Sequence, residues 1–435
     1  MSDNHSRIVI TGLGQISPLG NNIVDLSIAL DNQQSGVRTL ESIPYKNLKA
    51  SYGGEARDFT GEISNYGVLD KALTRAIKKA TRLMCREIQM GVAAAQHAIQ
   101  DAKLTPEIYN PDRIGIVFGC DYILSLPHEF REGVMQCLDE DGEFDFDQWA
   151  EKGLPKVNPL WLLKYLPNMP SSHIAIYNDL RGPSNSITMR ESSANQALAE
   201  AYCTIERGDA DIMVSGATGT RIHPLRTIHV NMQEELVGNE FEAAAACRPY
   251  ENSRDGMVIG EGSGSMIVER LDHAEARGAT IYGEIVGFAS STCMNRDRTA
   301  RFDQAFENVI KQSLANANLQ PTDIGHIHGH GMSTISADRG EAVAINKIFG
   351  NQTPVVAAKS YMGNLGAGSG SVEIISSLLA LDKGTLFKTL NYDTPDPDCD
   401  IQVTNSIDTP AGSSFINLNA SPQGQASAVI IKSLQ

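Results

Sequence analysis

Apolar and polar positions along this chain fall into blocks that switch between two periods. Residues 7–14, RIVITGLG, are a short apolar run ending in glycine, the pattern of a buried strand entering a tight turn. Residues 71–103 carry apolar positions at helical spacing and lead into RIGIVFGC, a second buried strand. Residues 182–217, GPSNSITMRESSANQALAEAYCTIERGDADIMVSGA, read as strand, sharp turn, helix and strand. In that helix Ala194, Ala197, Leu198, Ala201, Tyr202 and Ile205 share one face. Ser192 and Ser193 stand at N-cap or first-turn positions, and Gly208 ends the helix. Further strands are expected at 212–215, 264–269, 281–287, 354–358 and 426–432. Strands separated by helical stretches imply a mixed or parallel α/β sheet. Residues 125–169 break the pattern, with an acidic run (CLDEDGEFDFDQW), then LPKVNPLWLLKYLPNMP, and both tryptophans. We expect an insertion or lid there; the plainer expectation is a solvated loop with a short packing helix.

Composition removes several function classes. The chain has 435 residues and a net charge of −16, which disfavours nonspecific binding to nucleic acid or to anionic membranes. Its seven cysteines are scattered, odd in number and free of any CxxC, as for reduced thiols in the cytoplasm. No stretch approaches the ~20 apolar residues of a membrane span, and MSDNHSRIVITGLG has no apolar signal core.

Candidate chemistry begins at the turn. A side chain at position 191 starts a helix and feels the positive end of its dipole, which favours a carboxylate. Locally, Glu191 is a first-turn acid on an ordinary helix. Ser192 or Ser193 as a nucleophile would make an acyltransferase or hydrolase, but no GxSxG elbow surrounds them. GEGSG and GNLGAGSG lack a Walker lysine or a Rossmann acid at suitable spacing, so no nucleotide cofactor is expected. His326, His328 and His330 alternate on one strand face with no fourth ligand in view, so no metal is expected.

Several ordered blocks then carry a resemblance. CRPYENSRDGMVIGEGSGSMIVERLDHAEARGATIYGEIVG, HGHGMSTISADRGEAVAINKIFG, AAKSYMGNLGAGSGSVE and LNYDTPDPDCD, with the N-terminal RIVITGLGQISPLGNN, resemble the β-ketoacyl synthases of the thiolase superfamily over nearly the whole chain. The resemblance implies a thiolase-like fold: two similar α/β halves, each with a mixed five-stranded sheet, stacked in five αβαβα layers. The halves would be residues 1–265, with an insertion around 125–170, and 266–435.

The same resemblance places the family's nucleophilic cysteine at Glu191, its first histidine at His330 and its second at Asn364, with Lys359 and Glu341 matching the motif lysine and acid. The glycine loop before the last strand, LNASPQGQASAVII, is eroded, and with it the phenylalanine gate. Without a thiol there is no acyl-enzyme. His330 and Asn364 leave two donors that could polarise a thioester, hence a malonyl-thioester decarboxylase as an alternative. Against it, two unit charges about 4 Å apart at an effective dielectric near 20 repel by on the order of 4 kcal/mol, about three decades of rate. An intact scaffold without its nucleophile resembles a chain-length factor, the ketosynthase-like subunit that pairs with a catalytic ketosynthase and meets acyl carrier protein transiently. The aryl polyene type is one candidate pathway, and a purely structural scaffold is the alternative outside catalysis. We expect Glu191 to be ion-paired, near His330, Lys359 and Glu341, and Ile123 and Leu124 to form the partner-facing tunnel wall.

Overall fold

The computed structural model describes residues 7–44, 49, 51–105 and 108–434. The first six residues, part of the stretch read for a signal core, lie outside the described residues. Ten strands form one hydrogen-bonded path. The first five are β1 (Ile8–Ile16), β2 (Ile114–Cys120), β3 (Ser184–Ile187), β4 (Ile212–Thr220) and β5 (Ile259–Arg270). The second five are β6 (Gly283–Thr292), β7 (His326–His328), β8 (Val355–Val356), β9 (Ser414–Ala420) and β10 (Gln425–Lys432). Their order across the path is β8-β7-β9-β10-β6-β1-β5-β4-β2-β3, with a small hairpin attached to β5.

The path repeats itself. Starting from β1 and from β6, each half pairs twice antiparallel and then twice parallel, and each strand's counterpart lies five strands further on. The halves join where Ile8–Ile10 meets Ile285–Gly283. The division expected at 265/266 would cut β5, which pairs with β1 and β4 on both sides of that point. We place the division after β5 instead, at the short helix Leu271–Ala276 and the turn that follows.

Five layers result. The helix Arg86–Asp101 covers β1 and β5 from outside, and Phe302–Ala317 covers β6 and β10. Between the two sheets, Ser193–Glu206 and Ser369–Lys383 pack on each other. Strands covered on both faces need no alternation, and β1, β4 and β9 are buried at every position. The central helices meet at small residues: a Cβ on Gly370 would stand 2.9 Å from that of Ala194.

Other boundaries moved for physical reasons. The helical stretch 71–103 is two helices, Lys71–Ala80 and Arg86–Asp101, because the chain turns at Thr81–Leu83 and buries an extended Met84. β9 was not expected: Asn419 falls in the stretch read as the glycine loop, yet its amide and that of Asn417 lie buried against Glu373. Residues 125–169 contain a helix, His128–Met135, then short turns around a small aromatic cluster of Phe130, Phe144, Trp149 and Trp161.

Gly370→Val would push the two central helices apart. Overpacking of this kind costs about 1–3 kcal/mol, so the variant's denaturant midpoint should fall with an unchanged slope.

Candidate active site around Glu191

A single turn of helix, Arg190–Ser192, connects β3 to the helix Ser193–Glu206. Arg190 takes the left-handed conformation at φ +54°, which costs an L-residue roughly 1–2 kcal/mol. That twist turns Glu191 inward, where it is fully buried. The serines beside it are structural. Ser192 Oγ donates to the Gln425 carbonyl at 2.6 Å, while Ser193 Oγ accepts the Met189 N–H at 2.8 Å and lies 3.3 Å from the Cys120 carbonyl. Neither hydroxyl is presented to a base, which removes the observation an acyltransferase reading needs.

Glu191 is ion-paired, but not by the residues the sequence singled out. Its Oε1 accepts from Arg221 Nη2 and, at 2.9 Å, from Asn364 Nδ2; Arg190 Nε lies 3.7 Å from Oε2. Burial alone would raise this carboxyl's pKa. Arg221, Arg190 and the Asn364 amide outweigh it and hold the group well below the usual carboxylate range. Arg221 is itself fully buried, 3.6 Å from Asp121 and 3.8 Å from Glu234, and Glu234 also takes Arg190. Beyond Asp121 comes Arg226, at 3.9 Å, which binds Glu87 at 2.8 Å and stacks over Tyr122. Burial pushes the Glu87 carboxyl up to about 7, with Arg226 opposing and Asp121 adding to the shift.

Asn364 is held from both sides. Its Oδ1 accepts from the Gly366 N–H at 3.0 Å and from Ser369 Oγ at 3.1 Å, and its amide faces Glu191 and Met257 Sδ. The amide expected to polarise a thioester is therefore already bound to a carboxylate. His330 is buried, and burial and Lys359 push its pKa down, so the ring is neutral. Lys359 Nζ lies 3.3 Å from His330 Nδ1, donates to the His330 carbonyl at 2.8 Å and pairs with Glu373, not with Glu191 or Glu341. Glu341 instead accepts the N–H groups of His330 (2.6 Å) and Gly331 (3.0 Å) and the Tyr250 hydroxyl (2.7 Å), fixing the loop that carries His330.

His330 borders a pocket of about 170 Å3 with Met257, Met332, Phe302, Ala420 and Pro422, the last two from the eroded loop, and with Glu234 at its edge. β7 holds only His326 and His328, which share Ser377 Oγ at 3.0 and 2.8 Å; His330 lies beyond the strand. Ile123 is buried in the core of the first half, whereas Leu124 borders a separate cavity of about 420 Å3 near the insertion. Sequence reasoning missed Arg221, Arg226, Asp121 and Glu373. The one available signal was RIHPLR, two arginines crowded at the end of an apolar strand.

Two duplicated α/β halves, with Glu191 opening one central helix and Asn364 just before the other, define a thiolase-like protein. The chain belongs to the β-ketoacyl synthase family: residues 5–274 match the model of the Beta-ketoacyl synthase N-terminal domain and 282–393 that of the C-terminal domain. It is 30% identical over 407 residues to the 3-oxoacyl-[acyl-carrier-protein] synthase 2 of Staphylococcus aureus strain COL, covering 93% of this chain and 92% of that one. Among solved structures it superposes with TM-score 0.82 and 25% identity on a type II polyketide synthase ketosynthase in complex with its acyl-carrier protein. With the ishigamide ketosynthase/chain length factor the TM-score is 0.83 at 23% identity. Each match covers 99% of this chain and all of the other.

Arg221→Met should destabilise by about 3–5 kcal/mol, because it leaves buried carboxylates short of a cation. Glu191→Gln should cost less, since Arg221 keeps Asp121 and Glu234. Equilibrium unfolding of both variants checks the order. The Glu191 pKa is depressed in the folded state, so its contribution is complete above the unfolded value of about 4.3 and is lost as pH falls through the folded one. The stability gap between wild type and Glu191→Gln should stay constant from about pH 8 to 5.5 and close below about pH 4.

Proposed function

We propose that this chain is the non-condensing, chain-length-factor subunit of a heterodimeric ketosynthase, acting in type II polyketide or aryl polyene assembly in the cytoplasm. The observation that carries the reading is Glu191: a buried, ion-paired carboxylate at the position where the family needs a thiolate. The relatives' names describe condensing synthases, and the difference rests on that position. A decarboxylase is disfavoured because the Asn364 amide is bound to Glu191 and a malonyl group would meet that carboxylate.

Three surfaces support a partner. β3 ends the sheet path, with Ser184 and Asn185 exposed, and an unpaired strand edge invites another chain. Within residues 125–169, Met135, Phe144, Phe146, Leu154, Leu160 and Leu162 are exposed, more apolar surface than a solvated loop needs. On a chain of net charge −16, the helix Lys71–Ala80 gathers Lys71, Arg75, Lys78 and Lys79, a fit for an acidic carrier protein. Leu124, beside its cavity, is where this subunit would bound the partner's chain.

Purified alone with acyl-carrier-protein thioesters, the chain should show no mass gain from covalent acylation and yield no β-ketoacyl product; acyl transfer to it would overturn the reading. Glu191→Cys alone should not restore condensation, because Asn364 and the eroded loop remain. Co-expressed with its ketosynthase, Leu124→Trp should shorten products by whole two-carbon steps without abolishing initiation. A homodimer that ignores the ketosynthase, or product length indifferent to Leu124, would favour a plain scaffold.

A further inference from the structure

The helix Lys71–Ala80 holds Lys71, Arg75, Lys78 and Lys79 in water and contains no acid. With Leu69 and Thr74 these cations border a groove open to solvent. The nearest acid, Asp70, caps the helix and accepts the Leu73 N–H at 2.8 Å. Val68, just before the groove, is 90% exposed, so apolar surface beside the cations is left uncovered.

A complementary surface lies on the same chain. Leu138 pairs with Phe144, and the hairpin turn between them is closed by the Gly142 N–H on the Asp139 carbonyl at 3.1 Å. Asp139 Oδ1 accepts the N–H groups of Asp141 (3.0 Å) and Glu143 (2.8 Å). Gly142 takes φ +82°, which glycine adopts without strain. The tip is thus shaped by its own hydrogen bonds, which lowers the cost of ordering it on a partner. It presents Glu140, Asp141, Glu143 and Asp147 beside Phe144 and Phe146, the last 72% exposed, and carries no cation.

Among the described residues, none of these carboxylates and none of the helix cations forms an ion pair within the chain. Each surface keeps a charge that the other would match. The two are joined through the fold. The helix packs on Met169–Asn178 and the turn Thr81–Leu83 on Trp161–Lys164, and Trp161 meets Phe130 in the aromatic cluster that holds Phe144. A two-fold axis between groove and hairpin lets each copy give its hairpin and receive the other's, so both contacts close in one dimer.

We propose that this chain, in the absence of its ketosynthase, docks on a second copy of itself, each hairpin laying Phe144 and Phe146 in the other's groove with its carboxylates against the helix cations. Exposed ion pairs are individually weak, so the contact depends on several of them set around apolar side chains. The net charge of −16 repels two copies at a distance, but salt near 0.1 M screens that repulsion beyond about 10 Å. The contact rests on the chain-length reading only in what it excludes: the ketosynthase from the insertion and the carrier protein from the helix.

Sedimentation velocity of the purified full chain tests the contact. At about 0.1 M salt the chain should sediment as a dimer; near 1 M, where screening reaches about 3 Å, its dissociation constant should rise about tenfold or more. One variant reverses the groove, Lys78→Glu with Lys79→Glu, and a second reverses the hairpin, Glu143→Lys with Asp147→Lys. These side chains are exposed and form no hydrogen bond or ion pair among the described residues, so the fold does not depend on them. Each variant alone should be monomeric, because like charges then face each other at both contacts. Mixed in equal amounts, the two should regain the dimer, because opposite charges meet again at both. A wild-type chain that stays monomeric, a dimer indifferent to both reversals, as one formed through β3 would be, or a mixture that stays monomeric would overturn the proposal. Carrier protein should dissociate the wild-type dimer. A dimer that obeys the charge swap but ignores carrier protein keeps this contact and removes the helix from the carrier's docking surface. Product length under Leu124→Trp is read in co-expression, so the chain-length reading stands or falls separately.

Discussion

The ion pair between Glu191 and Arg221 constrains the centre of this molecule. Both side chains are fully buried, and neither charge is tolerable alone at that depth. A carboxylate at the start of a helix gains from the dipole, but the effect falls short of compensating complete burial, so the chain brings cations to it. Arg221 comes from just beyond the end of β4, and Arg190 from the adjacent residue, held in a left-handed conformation. Each cation then needs its own counter-charge, which accounts for Glu234 and Asp121, and beyond them Arg226 and Glu87. The buried carboxylate at position 191 thus stands at one end of a charge network extending to the edge of a second cavity.

The duplicated fold makes that recruitment possible without loss of architecture. The central helices are set by close contacts of small residues, Gly370 on Ala194, and by sheets covered on both faces. None of those contacts depends on what chemistry occupies position 191. Glu341 and Lys359 show the same separation: they hold the His330 loop through backbone groups and through Glu373, so they persist as structure whether or not a thioester ever binds.

The sequence made the architecture legible because covered strands and amphipathic helices leave periodic traces. β1, β2, β4 and β10 stood out as apolar runs, and the helix after Glu191 as one face of apolar or small residues. β9 did not, because its asparagines sit in the core and bind Glu373, a pairing no local period records. The positions of Glu191, His330, Asn364, Lys359 and Glu341 came from resemblance, not from spacing. RIHPLR marked Arg221 as unusual but not as the partner of Glu191: it lies 30 residues away along the chain and meets Glu191 only through tertiary folding. Charge pairing across that separation has no signature in a single sequence.

The network also bears on where an acyl chain could lie in this subunit. An apolar channel from the Glu191 turn toward Leu124 would offer an acyl chain a place inside this subunit. A wall of three arginines and four carboxylates stands in that space instead, and parting those buried ion pairs to admit a hydrocarbon would cost several kcal/mol. The cavity beside Leu124 lies on the far side of the wall from His330, so a chain in it would have to arrive from outside this subunit's own active site. On the chain-length reading proposed above, that inner wall would exclude an acyl group from this subunit's own centre and leave the outer cavity as the space open to one.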